Sequence, residues 1–93
     1  DLATVINRAV DNNSKNNVEK TNKGIYIDNE ANSISIEIKF TDNDSVYKME
    51  TLYNSGMQNF INYYNRIKFK CTDIKYHNST KKVKYMLFEQ MTQ

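Results

Sequence analysis

Ser33-Ile34-Ser35-Ile36-Glu37-Ile38-Lys39-Phe40 alternates polar and apolar residues along its whole length. A period of two sends successive side chains to opposite faces, so residues 33–40 read as a half-buried strand with Ile34, Ile36, Ile38 and Phe40 inward. β-branched and aromatic side chains suit a pleated surface and fix the register. Upstream, the period changes. Leu2, Val5, Ile6, Ala9 and Val10 recur at helical spacing and place a helix over 2–15. Asp11, Asn12 and Asn13 weaken its end, because their side chains compete for backbone hydrogen bonds.

Between these elements lies an Asn-rich loop, 16–24, closed by Gly24. Residues 25–28 read as a short strand that pairs with 33–40. The turn is Asp28 to Asn32, with Asn29 or Asn32 as the candidate for positive φ. Downstream, Asp44 or Ser45 is placed to cap a helix. Met57, Phe60, Ile61 and Tyr64 form a helical stripe, so 45–65 reads as one helix with an irregularity at Gly56, although 45–56 also tolerates a strand reading. Residues 67–76 and 82–90 make a second hairpin around Asn78-Ser79-Thr80-Lys81. Its apolar parity slips after Cys71, which calls for a bulge at Thr72-Asp73. Val83, Tyr85 and Leu87 share one face, read as the core side, and Met86 and Phe88 the other. The expected fold is therefore α+β, an N-terminal helix packed on an antiparallel sheet in the order α-β-β-α-β-β, a single soluble domain.

The chain has 93 residues, enough for one modest core. It has no Pro, no Trp and one cysteine, so no internal disulfide can form. No stretch reaches the ~18 apolar residues of a membrane span. Its Asn/Lys/Ile/Tyr bias is typical of AT-rich bacterial genomes. Opening at Asp1 inside a helical pattern, the chain reads as the remainder of a longer product whose signal or anchor lies upstream. The net charge of +2 hides an asymmetry: six Lys/Arg against nine Asp/Glu over 1–65 give −3, and seven against two over 66–93 give +5. Such a dipolar molecule can attract its own copies head to tail, or offer its basic end to another protein. The lysines expected to carry this contact are Lys68, Lys70, Lys82 and Lys84. Charge attraction is screened within about 8 Å at physiological salt, so this domain is expected to be monomeric alone, with association needing the upstream N-terminal segment as well.

Chemistry-bearing residues are few. His77 is the only histidine and reads as an exposed hairpin-end residue; a nucleophilic pair with Cys71 needs a base and an orienter in reach. Cys71 shares parity with Ile67 and Phe69 and reads as buried, inert core. Asp42, Asn43 and Asp44 resemble the start of a calcium loop, but Tyr47 and Tyr53 stand where Gly and Glu are required. Asn12-Asn13-Ser14 and Asn78-Ser79-Thr80 match a glycosylation acceptor pattern that carries little weight in a sequence of bacterial-looking composition. Basic residues interleaved with Tyr76 and Tyr85 suit single-stranded nucleic acid in principle. The near-absence of Arg and the lack of any RRM-like signature argue against it. No catalytic residue, cofactor or metal is expected.

The opening DLATVINRAVDNN resembles the soluble half of the long N-terminal helix of type IV pilins and pseudopilins, which leads through a loop into an antiparallel sheet. The resemblance covers residues 1–40 loosely, and no functional residue carries over. It implies a non-catalytic subunit of a bacterial surface or secretion machinery. Such a subunit is extracellular or at the cell surface, anchored through an upstream segment, and acts by protein–protein assembly. The alternatives are the ectodomain of a membrane-anchored secretion or conjugation component, and a small intracellular or phage-encoded module that binds nucleic acid or acts as an inhibitor.

Overall fold

The alternation at 33–40 produces a central strand, and the residues it turns inward are the floor of the core. The structure, a computed structural model, describes residues 1–42, 44–56, 59 and 67–91. Its elements are α1 (Leu2–Lys15), β1 (Ser35–Lys39), β2 (Val46–Lys48), α2 (Met49–Ser55), β3 (Phe69–Tyr76) and β4 (Val83–Gln90). The fold is α+β. Four strands form one sheet in the order β2-β1-β4-β3.

The helix α1 buries the stripe read from its spacing. Leu2, Ala3, Ile6 and Ala9 are buried, and Val5 and Val10 pack at the margin. They meet Ile36 and Ile38 of β1 and Met49 and Leu52 of α2, all at most 1% exposed. Each such aliphatic side chain contributes roughly 1.5–3 kcal/mol by leaving water. At the N-terminus the Asp1 carboxylate accepts from the Thr4 N–H at 2.9 Å, which satisfies one of the helix's orphan donors. At the other end the Val18 N–H donates to the Asn13 carbonyl and the Asn17 N–H to the Ser14 carbonyl. Asn17 stands at φ 54°. This is a Schellman closure with asparagine in the left-handed position and Val18, buried, as its apolar follower.

The sheet is mixed, which corrects the antiparallel expectation. β1 pairs antiparallel with β2 and parallel with β4, in the register Ile36↔Met86 and Ile38↔Phe88. β3 pairs antiparallel with β4. The expected hairpin of 25–28 with 33–40 does not form: residues 25–28 hold only the single bridge Lys20↔Tyr26. β1 is flanked instead by β2 and β4, and the Tyr26 N–H is taken by the Glu50 carboxylate at 2.8 Å. Neither Asn29 nor Asn32 adopts positive φ. The Asn29 side chain shapes that loop by accepting from the N–H groups of Ala31, Asn32 and Ser33.

The single helix expected over 45–65 is also corrected. Val46–Lys48 is a strand against β1, because Tyr47 can then reach the core edge and stack edge-on with Phe40, ring centroids 5.7 Å apart. Helix begins only at Met49, capped by neither Asp44 nor Ser45; Lys48 occupies the cap position without a side-chain bond. Gly56, at φ 83°, ends α2 in the left-handed conformation. The remaining stripe residues Met57, Phe60, Ile61 and Tyr64 lie outside the described residues.

Candidate functional site

The β3–β4 hairpin holds the residues to which the sequence assigned chemistry or contact. Register places its two faces. Met86 and Phe88 lie beside Ile36 and Ile38 and pack on the core. By alternation Tyr85 and Leu87 lie on the opposite face of the sheet, half-buried, while Val83 pairs with Tyr76 beyond a second step in the register, between Lys75 and Tyr76. This corrects the core role expected for Tyr85. Its hydroxyl donates to the Glu37 carboxylate at 2.7 Å, and the Lys75 ammonium sits 5.0 Å from its ring centroid. Burial, the hydrogen bond to Glu37 and the nearby charges of Glu37 and Asp73 push the Tyr85 phenol well above its ordinary range.

The sign of that shift gives a prediction. Folding holds the Tyr85 proton more tightly than the unfolded chain does, so its contribution to stability is full below the unfolded pKa of 10.0 and is lost as pH rises above it. Absorbance titration should show the Tyr85 phenol ionising well above its ordinary range. Tyr85→Phe should remove that late step and flatten the loss of stability above pH ~10. A late step that persists in Tyr85→Phe would assign it elsewhere.

The bulge expected at Thr72-Asp73 is present: the register steps from Cys71↔Phe88 to Asp73↔Leu87. It keeps Cys71 and Ile74 on the core-side face. Yet Cys71 is exposed, a correction to its expected burial. β3 is the outer strand, and the helices that cover β1 do not cover it: only Phe69 of its eight residues is less than exposed. The Cys71 thiol donates to the Asp73 carbonyl at 3.2 Å across the bulge. A thiol reagent should therefore label the native protein completely, within about tenfold of its rate on the unfolded chain. Labelling that waits for denaturant would restore the buried reading.

His77 moves the other way. Expected exposed, it is 2% exposed. Its Nε2 lies 2.8 Å from the Ser33 carbonyl, which can only accept, so Nε2 carries the proton. The turn after β3 folds down onto loop 29–34 instead of projecting. Ser79 and Thr80 donate from their hydroxyls to the carbonyls of Glu30 and Ala31 at 3.0 and 2.8 Å. From the helix side, the Asn12 amide donates to the Asn32 carbonyl at 2.8 Å. Asn13, fully buried, both donates to the Ile34 carbonyl and accepts from the Ile34 N–H, each at 2.9 Å. The loop is thus clamped between the end of α1 and the β3–β4 turn. His77 and the asparagines are committed to the backbone, and among the described residues no buried side-chain polar atom lacks a partner. Sequence reasoning missed this clamp because each residue alone looks like loop composition.

The four lysines separate into two pairs. Lys68 and Lys70 stand at the Phe69 end of the hairpin, and Lys82 and Lys84 at the turn end. From Lys84 to Glu89, the residue opposite Lys70, is five steps along β4, or about 16 Å at ~3.3 Å per residue. Lys70 faces Glu89 across the ladder, so half of that end's charge is offset locally. Among the described residues no three His, Cys, Asp or Glu side chains converge to hold a metal ion. A cleft of about 420 Å³ opens between the start of α1 and the hairpin, lined by Leu2, Val5, Phe69, Phe88 and Met91 with Asp1 and Lys68 at its rim. Among the described residues its lining is mostly apolar, with Asp1 and Lys68 as the charged members.

Comparison with protein-family models, with curated proteins and with solved structures finds no match.

Proposed function

We propose that this chain is a non-catalytic binding module that works by protein–protein assembly through the β3–β4 hairpin. The observation that carries the reading is the outer strand β3, eight residues long with seven exposed. An unpaired strand edge is a template for another chain, and an assembly subunit is where such an edge is useful. Lys68 and Lys70 at one end and Lys82 and Lys84 at the other steer an approaching partner. Their spacing suits on-rate and orientation more than affinity. His77, the one histidine, is committed to the Ser33 carbonyl and holds a loop. The finer form of the proposal is a pilin-like subunit of a bacterial surface or secretion machinery, extracellular or at the cell surface. Its support is the layout of α1 along one face of the sheet.

The test places a photo-crosslinking amino acid at Tyr76, which is 55% exposed on β3, or at Glu19 in the loop after α1, in the cells that make this protein. A discrete cross-linked protein product from the Tyr76 position, absent from Glu19, supports the reading. Absence of any protein product at Tyr76 overturns it. So does tight binding of single-stranded DNA at physiological salt that Lys-to-Glu changes at Lys68, Lys70, Lys82 and Lys84 abolish.

A further inference from the structure

The exposed half of β3 reads Thr72-Asp73-Ile74-Lys75-Tyr76. Turned end for end, this segment complements itself. If a twofold axis passes through Ile74, an antiparallel copy sets Ile74 on Ile74, Asp73 on Lys75, Lys75 on Asp73, and Thr72 on Tyr76. Both large apolar side chains of the segment are open to solvent, Ile74 at 41% and Tyr76 at 55%. Alternation puts them on one face, with Asp73 and Lys75 on the other. The twofold pairing therefore gathers the apolar residues on one side of the ladder and two opposite-charge pairs on the other. Directly opposed side chains are the unit of strand-pair stabilisation, and like charges directly opposed are destabilising.

From these observations we infer that the partner of the β3 edge is a second copy of this chain, joined antiparallel about Ile74 into one sheet continuous across both copies. The inference rests on the assembly reading above and names the partner. The register is selective. An axis between Thr72 and Asp73 sets Lys70 on Lys75, which charge forbids. The bulge at Thr72 bends the first part of the strand away, and a second step in the register follows Lys75, so pairing is centred on Asp73-Ile74-Lys75, where the self-complementary charges lie. Lysines and bulges usually guard an edge against indiscriminate pairing. Here each Lys75 finds an Asp73 in this register and in few others, so the guard doubles as a selector. A C2 contact of this kind uses the same patch twice. Strand pairing supplies the short-range attraction that the screened head-to-tail dipole lacks.

Sedimentation equilibrium of the full chain up to about 0.5 mM should show a monomer–dimer equilibrium. Asp73→Lys and Lys75→Asp each create two like-charge contacts and should weaken dimerisation at least about tenfold. The double exchange Asp73→Lys/Lys75→Asp restores opposite charges in the same register and should recover dimerisation to within about threefold of the natural chain. Recovery separates pairing from folding, because a folding defect would not be repaired by the second change; circular dichroism melts of all three confirm it. In a Cys71→Ser background, Ile74→Cys should form an intermolecular disulfide under mild oxidation, since opposed strand residues place their Cα atoms ~4.5–5.5 Å apart. A chain that stays monomeric over the whole range overturns the inference, as does a dimer indifferent to the single reversals. If Tyr76 still captures another protein in cells in that case, the assembly reading stands and only the identity of the partner falls.

Discussion

Replacing Ile6 with aspartate should cost about 4–5 kcal/mol or more, a large share of the chain's stability. Ile6 has no exposed surface and sits in the apolar cluster of Ala9, Ile36, Ile38, Met49 and Leu52. The change forfeits roughly 2–3 kcal/mol of burial. It also brings in a carboxyl group for which that cluster of hydrocarbon side chains offers no donor, at about 2 kcal/mol or more. A domain of this size has only about 5–10 kcal/mol to lose. Ile6→Val, which removes one methyl group, should cost about 1 kcal/mol and gives the control. Urea melts followed by circular dichroism measure both. An unchanged midpoint for the aspartate variant would remove α1 from the core.

The second large effect is expected at Asn13. Its carboxamide meets the Ile34 peptide as a neighbouring strand would, with one bond given and one received. Asn13→Ala leaves the Ile34 N–H and C=O facing an apolar methyl, and each stranded polar group costs about 1–3 kcal/mol. The loss should total about 2–4 kcal/mol, visible as a lower urea midpoint at unchanged slope. Asn12→Ala removes the bond to the Asn32 carbonyl and two longer side-chain bonds with Asn13 and Asn16 at a half-buried, partly solvated site and should cost about 1 kcal/mol. A loss at Asn13 no larger than that at Asn12 would mean that water or a shifted loop replaces both bonds.

Asn13 also shows where sequence reading succeeds and where it stops. Read locally, Asp11-Asn12-Asn13 is a weak helix end, and the helix does end at Lys15. Nothing local says that two of those side chains reach across to residues 32–34. Periodicity worked where one face is covered: the α1 stripe and the inward set of Ile36 and Ile38 follow from spacing alone. It failed for Cys71, though not through parity. Cys71 does lie opposite Phe88 on the core-side face, but alternation assigns a face and is silent on whether anything covers it. His77 failed for the converse reason. A residue beside a turn looks exposed until the turn packs against a loop more than forty positions earlier. Strand partners are the least legible. A period of two identifies Ser35–Lys39 as a strand without naming its neighbours, and the pairing chosen, parallel with β4, joins segments that no hairpin signal connects.

That parallel pairing has a consequence for the birth of the protein on the ribosome. The last of the four strands, β4, sits between β1 and β3, with Ser35 beside Tyr85 and Lys39 beside Glu89. The nascent chain therefore cannot zip its sheet in order of synthesis. Helix α1 and strand β1 emerge early, but half of β1's hydrogen-bonding rim has no neighbour until Val83–Gln90 arrives. Contacts of such long sequence span are slow to form. Until then the chain exposes Ile36, Ile38 and their unpaired backbone, the kind of surface that chaperones hold and crowded neighbours capture.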